Sequence, residues 1–175
     1  MVQQTPESIT QSTPIAEADR FLRMGPVIVH ADDSLHAVAE KAVENTGCRV
    51  IAVVDDDRRL LGVVPVRILV NDIFLKIVPE EFLGEIQDLE GALKYAEHFS
   101  ARTARDIMLP PMSVRPDESV RDAFERMHAA RLNGLPIADE DGRVTGYVDQ
   151  LELLLVWVRA TGRQVLLEPK TEPRE

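Results

Sequence analysis

The feature that most constrains this chain is that it reads twice. The run from Val27 to Asn71 and the run from Met112 to Leu155 follow one pattern in different residues. Ser34 precedes Leu35, Val38, Ala39, Ala42 and Val43, while Ser119 precedes Val120, Ala123, Phe124 and Met127. Each set is apolar at helical spacing behind a Ser where an N-cap belongs. Up to these helices the copies stand 85 positions apart, and after them 84. At the second offset Val50–Asp55 matches Gly134–Asp139, and Leu60–Val64 matches Val144–Val148. These predict two short strands joined by an acidic hairpin. Each helix follows a short apolar stretch, Val27-Ile28-Val29 or Met112-Ser113-Val114, which predicts a first strand. A last helix is predicted from Leu69, Val70, Ile73 and Phe74 in one copy, and from Leu153, Leu154, Trp157 and Val158 in the other. The unit is therefore strand, helix, strand, strand, helix.

Taken together, the phrases TARDIM (103–108), SVRPDESVRDAFERM and NGLPIADEDGRVTGYVDQLELL resemble the cystathionine beta-synthase (CBS) domain pair, or Bateman module. The looser first copy, VIVHADDSLHAVAEKAVENTG then RVIAVVDDDRRLLGVV, stays in register with them, and the resemblance covers about 24 to 160. It implies a mixed α/β (α+β) fold of two pseudo-symmetric β-α-β-β-α units packed as a disc. It also implies clefts that in many members take adenosine-containing ligands, and a disc that often pairs with a second copy.

The expected organisation is a tail at 1–14, unit one at 15–75, a helical insert at 76–102, unit two at 103–162 and a second tail at 163–175. Neither unit alone, at roughly 45 to 60 residues, would bury its sheet well. The insert opens near Pro79-Glu80-Glu81 and reads as two short amphipathic helices. It either packs across the seam between the units or forms a docking face. Gln164–Leu167 reads as an edge strand.

Composition excludes several classes. A formal net charge of −10 argues against electrostatic binding to nucleic acid or an anionic membrane surface. Cys48 is the only cysteine, so a reducing cytoplasm is the simpler expectation. The start of the chain reads neither as a signal peptide nor as an anchor, and charges interrupt both apolar stretches, so no membrane insertion is expected. The histidines lack the i+3 or i+4 partners of a metal site, and His128 is expected partly buried beside Met127. Asp139-Glu140-Asp141-Gly142 cannot be an EF-hand, because its twelfth ligand would be Val148. No nucleophile elbow or P-loop is present, so catalytic residues, metal and cofactor are all expected to be none.

A ligand site therefore rests on the turn into the last helix of each unit. The family pattern there is Gly, two apolar residues, Ser or Thr, two more, then Asp; the hydroxyl meets phosphate at the helix start and the carboxylate holds ribose. Unit one has Pro65 in place of the hydroxyl and Ile68 in place of the carboxylate, leaving Arg67 as the nearby group for an anion. This first cleft reads as degenerate. Unit two has Asp149 for the hydroxyl and Glu152 for the carboxylate. Glu152 can still accept from ribose, but Asp149 repels phosphate by roughly 4 kcal/mol at about 4 Å in an effective dielectric near 20. Asp149 and Glu152 also have the spacing of a capping box, which would need no ligand. The residues expected to line this second cleft are Leu109, Pro111, Met112, Ser113, Leu135, Pro136, Ile137, Asp149 and Glu152.

Two functions remain open: a non-enzymatic regulatory homodimer that senses an adenosine-type ligand and signals to a protein target in another chain, or a ligand-free dimerisation or partner-docking module.

Overall fold

The structure, a computed structural model, describes residues 10–77 and 101–154. Residues 78–100 of the expected insert, Trp157 and Val158 of the expected last helix, and the second tail with the edge strand expected at Gln164–Leu167 lie outside the described residues. Unit one contains β1 (Ile28–His30), α2 (Leu35–Glu44), β2 (Val50–Val54), β3 (Leu60–Pro65) and α3 (Val66–Ile77). Its sheet has the order β1-β2-β3, with β1 parallel and β3 antiparallel to β2. Unit two contains α5 (Val120–Ala130), β4 (Gly134–Ala138) and β5 (Val144–Asp149), and helical backbone resumes at 150–154. Each unit opens on a short helix: α1 (Ile15–Ala18), continued by a 3-10 turn at Asp19–Phe21, and α4 (Ala104–Ile107).

The repeat extends to atomic detail. Ser34 accepts the Ala37 N–H, and Ser119 accepts the Asp122 N–H while the Asp122 carboxylate reaches back to the Ser119 N–H. Both seal helix N-termini whose N–H groups have no partner in their own helix. In the hairpins, Asp55 accepts from the N–H groups of Asp57 and Arg59, and Asp139 from those of Asp141 and Arg143. These Asx turns explain the acidic hairpins without a ligand. Arg58 and Gly142, equivalent in the two turns, both have positive φ, at 64° and 77°. Of the apolar pairs Leu69-Val70 and Leu153-Leu154, the first residue of each is buried and the second exposed.

Three expectations need correction. In unit two the strand expected at 112–114 shrinks to one parallel bridge between Val114 and Ile137. In unit one the Ala52 N–H donates to the Val27 carbonyl, but the residue equivalent to Ala52 is Pro136, which has no N–H to give. His128 is exposed, because one step beyond Met127 turns it away from the buried face. Val43, counted in the apolar stripe of α2, is also exposed.

The two units are joined by exchanged arms. In the first arm, Ile15 and Ala16 donate their N–H groups to the carbonyls of Glu118 and Pro116 in unit two, while Val120 donates to Thr13. In the second, Ala104 and Arg105 donate to Asp33 and Ala31 in unit one, while Leu35 donates to Arg102. Glu118, Pro116 and Val120 follow Asp33, Ala31 and Leu35 by the repeat offset of 85, so the exchange is reciprocal. The second arm then continues onto β3, where Leu109 and Val63 exchange both backbone hydrogen bonds. Ile15 and Ala104 are fully buried, and one cluster of buried side chains runs through both units, from Val38 and Val53 to Met127 and Tyr147.

Tyr147 ties this core to the seam. Its ring lies across Gly134, and its hydroxyl accepts the Arg49 N–H at 3.0 Å. A Cβ on Gly134 would collide with that hydroxyl. Gly134→Ala is therefore expected to lower unfolding free energy by about 1–3 kcal/mol in urea titration. Gly25→Ala, where an added Cβ meets nothing within 4 Å, should change it by less than about 0.5 kcal/mol. Equal effects at the two positions would contradict this account of Gly134.

Candidate functional site: two clefts at the seam

Each unit ends its sheet by running straight into a helix, and the same device holds both turns. The Val66 N–H donates to the Arg49 carbonyl, and the Gln150 N–H to the Asn133 carbonyl, at equivalent positions. Beside each helix start lies a cleft walled by both units. The first measures ≈ 340 Å³ and is lined by Arg49, Pro65, Arg67, Val70, Arg131 and Asn133, among others. The second measures ≈ 480 Å³ and is lined by Met24, Arg49, Asn133, Asp149, Leu151 and Leu154, among others. Arg49 and Asn133 face both clefts and are themselves counterparts in the repeat.

Asp149 lines the second cleft and Glu152 does not, and both carboxylates are already engaged. Asp149 is 4% exposed, and its carboxylate accepts the Leu151 N–H at 2.8 Å. Burial pushes its pKa up, while the N–H groups of Leu151 and Glu152 and the charge of Arg49 pull the other way. Glu152 does not complete a capping box. Its carboxylate turns to the chain segment before β1, accepting the N–H groups of Arg23 at 2.8 Å and Met24 at 3.3 Å. The two residues thus divide the work: Asp149 caps the helix, and Glu152 latches the first arm.

The other residues expected in the second cleft are placed elsewhere. Leu109 lies against Val63 in unit one, Pro111 is exposed, and Met112 and Ser113 are half-buried ahead of the Val114 bridge. Leu135, Pro136 and Ile137 are buried in β4. None of these seven lines the cleft that holds Asp149. The exchange of arms is the reason: residues ahead of the first strand of one unit are carried to the other, so Met24, rather than Leu109, reaches the helix start of unit two. Pro65 and Arg67 line the first cleft, whereas Ile68 packs against the core.

Sequence reasoning missed Met24, Phe124, Arg49 and Arg131, because each comes from the unit opposite the one whose turn defines a cleft or from a helix flank. Applying the 84-residue offset to Asn133 would have flagged Arg49. Arg131 carries its own backbone signal. It closes α5 in the left-handed region, at φ 54° and ψ 43°, where Gly or Asn is usual.

Comparison with known proteins bears on this arrangement. The family model for the CBS domain matches residues 20–74 and 104–158. The chain belongs to the CBS domain family, with two copies in tandem. Among solved structures, a CBS domain-containing protein from Thermotoga maritima superposes with TM-score 0.66 at 22% identity, over 89% of this chain and 99% of that one. CBSX2, a CBS-pair protein of Arabidopsis thaliana solved with AMP, gives TM-score 0.61 at 20% identity over 85% and 98%. The CBS domain pair of protein MJ0100, solved with 5′-methylthioadenosine and S-adenosyl-L-methionine, gives 0.60 at 17% over 83% and 96%. No curated protein matches the chain. Among the described residues no helix is long and apolar enough to cross a membrane, and no group of His, Cys, Asp and Glu could hold a metal ion.

The Asp149 pKa has a consequence for stability. A carboxyl whose folded pKa lies above its unfolded value binds protons more tightly when folded, so stability falls as pH rises through that window. The window opens at the ordinary value of 3.8 and extends upward. Asp149→Asn is therefore expected to be more stable than the parent at pH 7, with the difference closing below about pH 4. Urea midpoints across pH test this, and a variant less stable at neutral pH would contradict it.

Proposed function

We propose that this chain is a non-enzymatic regulatory module that binds an adenosine-type ligand in the second cleft and passes its occupancy to a separate protein. The ligand class comprises adenosine, AMP, ADP, ATP and S-adenosylmethionine. The observation that carries this reading is the lining of the second cleft: Met24, Phe124, Leu151 and Leu154 offer apolar walls for a planar base, beside the helix start at Asp149. Solved CBS pairs holding AMP, 5′-methylthioadenosine and S-adenosyl-L-methionine support it.

The Glu152 latch supplies a mechanism. Met24 is a wall of the cleft and its N–H is held by Glu152, so a ligand that packs on Met24 works against this latch and loosens the first arm at that point. A ligand shifts such an equilibrium only by the difference in its affinity for the two states. Signalling is assigned to a homodimer in the cytoplasm, and the exposed Val70 and Leu151 on the last helices support the pairing alone. The second reading, a ligand-free docking module, is favoured by one observation: Asp149 and Glu152 both have partners within the chain.

Thermal unfolding separates the two. A ligand at about a hundredfold over its Kd stabilises by about 2.7 kcal/mol, which is several degrees in a chain of this size. At least one of the five compounds is expected to raise the Tm by this amount, and Leu154→Glu, at a half-exposed wall position, is expected to abolish the shift. No shift with any of them would overturn the sensor reading.

A further inference from the structure

The two arms are of unequal length. Between the first residues of the two arm helices, Ala104 follows Ile15 by 89 positions, whereas Val114 follows Val29 by 85 at the sheet edges they lead to. The first arm therefore has four more residues between its helix and its strand. The 3-10 turn Asp19–Phe21 and the Leu22 behind it take up that length.

The second arm, which has no such turn, lies along β3, where Leu109 and Val63 exchange both backbone hydrogen bonds. The counterpart of Val63 is Tyr147, since Val63 stands opposite Ala52 and Tyr147 opposite Pro136. The Pro136 carbonyl accepts the Val114 N–H on the side away from β5, so Pro136 and Tyr147 face each other without bonding. The Tyr147 N–H and C=O accordingly point away from β4, as those of Val63 point away from β2. Among the described residues nothing bonds to either group, although Tyr147 is only 1% exposed. Buried backbone groups left unpaired are rare because each unmade bond costs free energy.

Space for a partner is present as well. At Gly62 an added Cβ would meet the Leu109 carbonyl at 2.6 Å, so the second arm lies close there only because residue 62 is glycine. Its counterpart is Gly146, where the three atoms nearest an added Cβ belong to the side chains of Ile137 and Asp19, the closest at 3.1 Å. The backbone of the first arm stays farther off. Its Met24, which precedes Val29 by the same five residues as Leu109 precedes Val114, gives its N–H to Glu152 instead.

We infer that the first arm has two seats. In the observed seat Met24 is held by Glu152. In the second, Met24 exchanges both backbone hydrogen bonds with Tyr147, as Leu109 does with Val63, and the turn at Asp19–Phe21 yields the length that the move needs. The Met24 N–H serves one of these acceptors at a time, so the two seats form a switch. The loosening of the first arm proposed above thereby gains a destination: a ligand that works against the Glu152 latch moves the arm toward Tyr147 by the difference in its affinity for the two states. That coupling rests on the ligand reading, whereas the seats themselves need no ligand.

NMR of the isotopically labelled full chain tests the switch through scalar couplings across backbone hydrogen bonds. The Leu109–Val63 couplings are expected in every sample and report that the fold and the measurement are sound. In the parent, no coupling between Met24 and Tyr147 is expected. Glu152→Ala removes the acceptor of the observed seat, and couplings from the Tyr147 N–H to the Met24 carbonyl and from the Met24 N–H to the Tyr147 carbonyl are expected to appear. Adding Gly146→Ala, which puts a Cβ where the arm must pass, is expected to abolish them. Should Glu152→Ala not fold, Glu152→Gln, which weakens the same bonds by removing their charge, is read in its place. The proposal is overturned if the Glu152 variant shows the Leu109–Val63 couplings without the Met24–Tyr147 pair, or if that pair persists alongside Gly146→Ala. No ligand is present in these samples, so a missing second seat leaves the adenosine reading standing, and a missing thermal shift leaves the second seat standing.

Discussion

The exchange of arms is the interaction on which the rest of the structure depends. A four-residue helix has too few internal hydrogen bonds to persist alone, and its first N–H groups have no partner within it. α1 and α4 are both of this length, and each finds acceptors for those N–H groups in the opposite unit. In return, each unit's long helix has its first N–H taken by the other unit's arm, Leu35 by Arg102 and Val120 by Thr13. Ile15 and Ala104 then enter the common core. Neither unit is complete without the other's arm, which turns two copies into one structure.

Both clefts lie where the two joined units meet. Each helix start is faced by residues of the opposite unit, Arg131 at the first and Met24 at the second, and Arg49 and Asn133 stand where the two clefts meet. Tyr147 fixes this junction by accepting the Arg49 N–H from within the core, where burial pushes its phenol well above the ordinary range. The scaffold is symmetric and the chemistry is not. The second cleft has apolar walls and a buried carboxylate, and the first has three arginines. A pseudo-symmetric repeat thus presents two chemically different clefts from one set of backbone positions.

Much of the fold was legible in the sequence because its determinants are local. Ser34 and Ser119 announce helix starts, Asp55 and Asp139 announce the hairpin turns, and the offset aligns β2 with β4 and β3 with β5. The missing strand before Val114 was legible in principle, since Pro136 replaces Ala52, but only once the direction of that missing N–H is known. The site was read less well. The turn residues Pro65, Arg67 and Asp149 are at the cleft walls, yet the facing walls come from residues far away in the chain. Nothing local to Met24, Arg49 or Arg131 indicates which helix start they will meet. Glu152 has the spacing of a capping box and is instead drawn to the Arg23 and Met24 N–H groups by an arm whose path is a tertiary fact.

If the arms make one cooperative structure, the two sheets cannot open independently. Native-state hydrogen exchange tests this most directly, by comparing the amides of Val50–Val54 in β2 with those of Gly134, Leu135, Ile137 and Ala138 in β4. The account predicts that the slowest amides of both strands share one opening free energy, within about 0.5 kcal/mol. A strand of one unit that exchanges through a distinctly lower free energy, while the other stays protected, would contradict it.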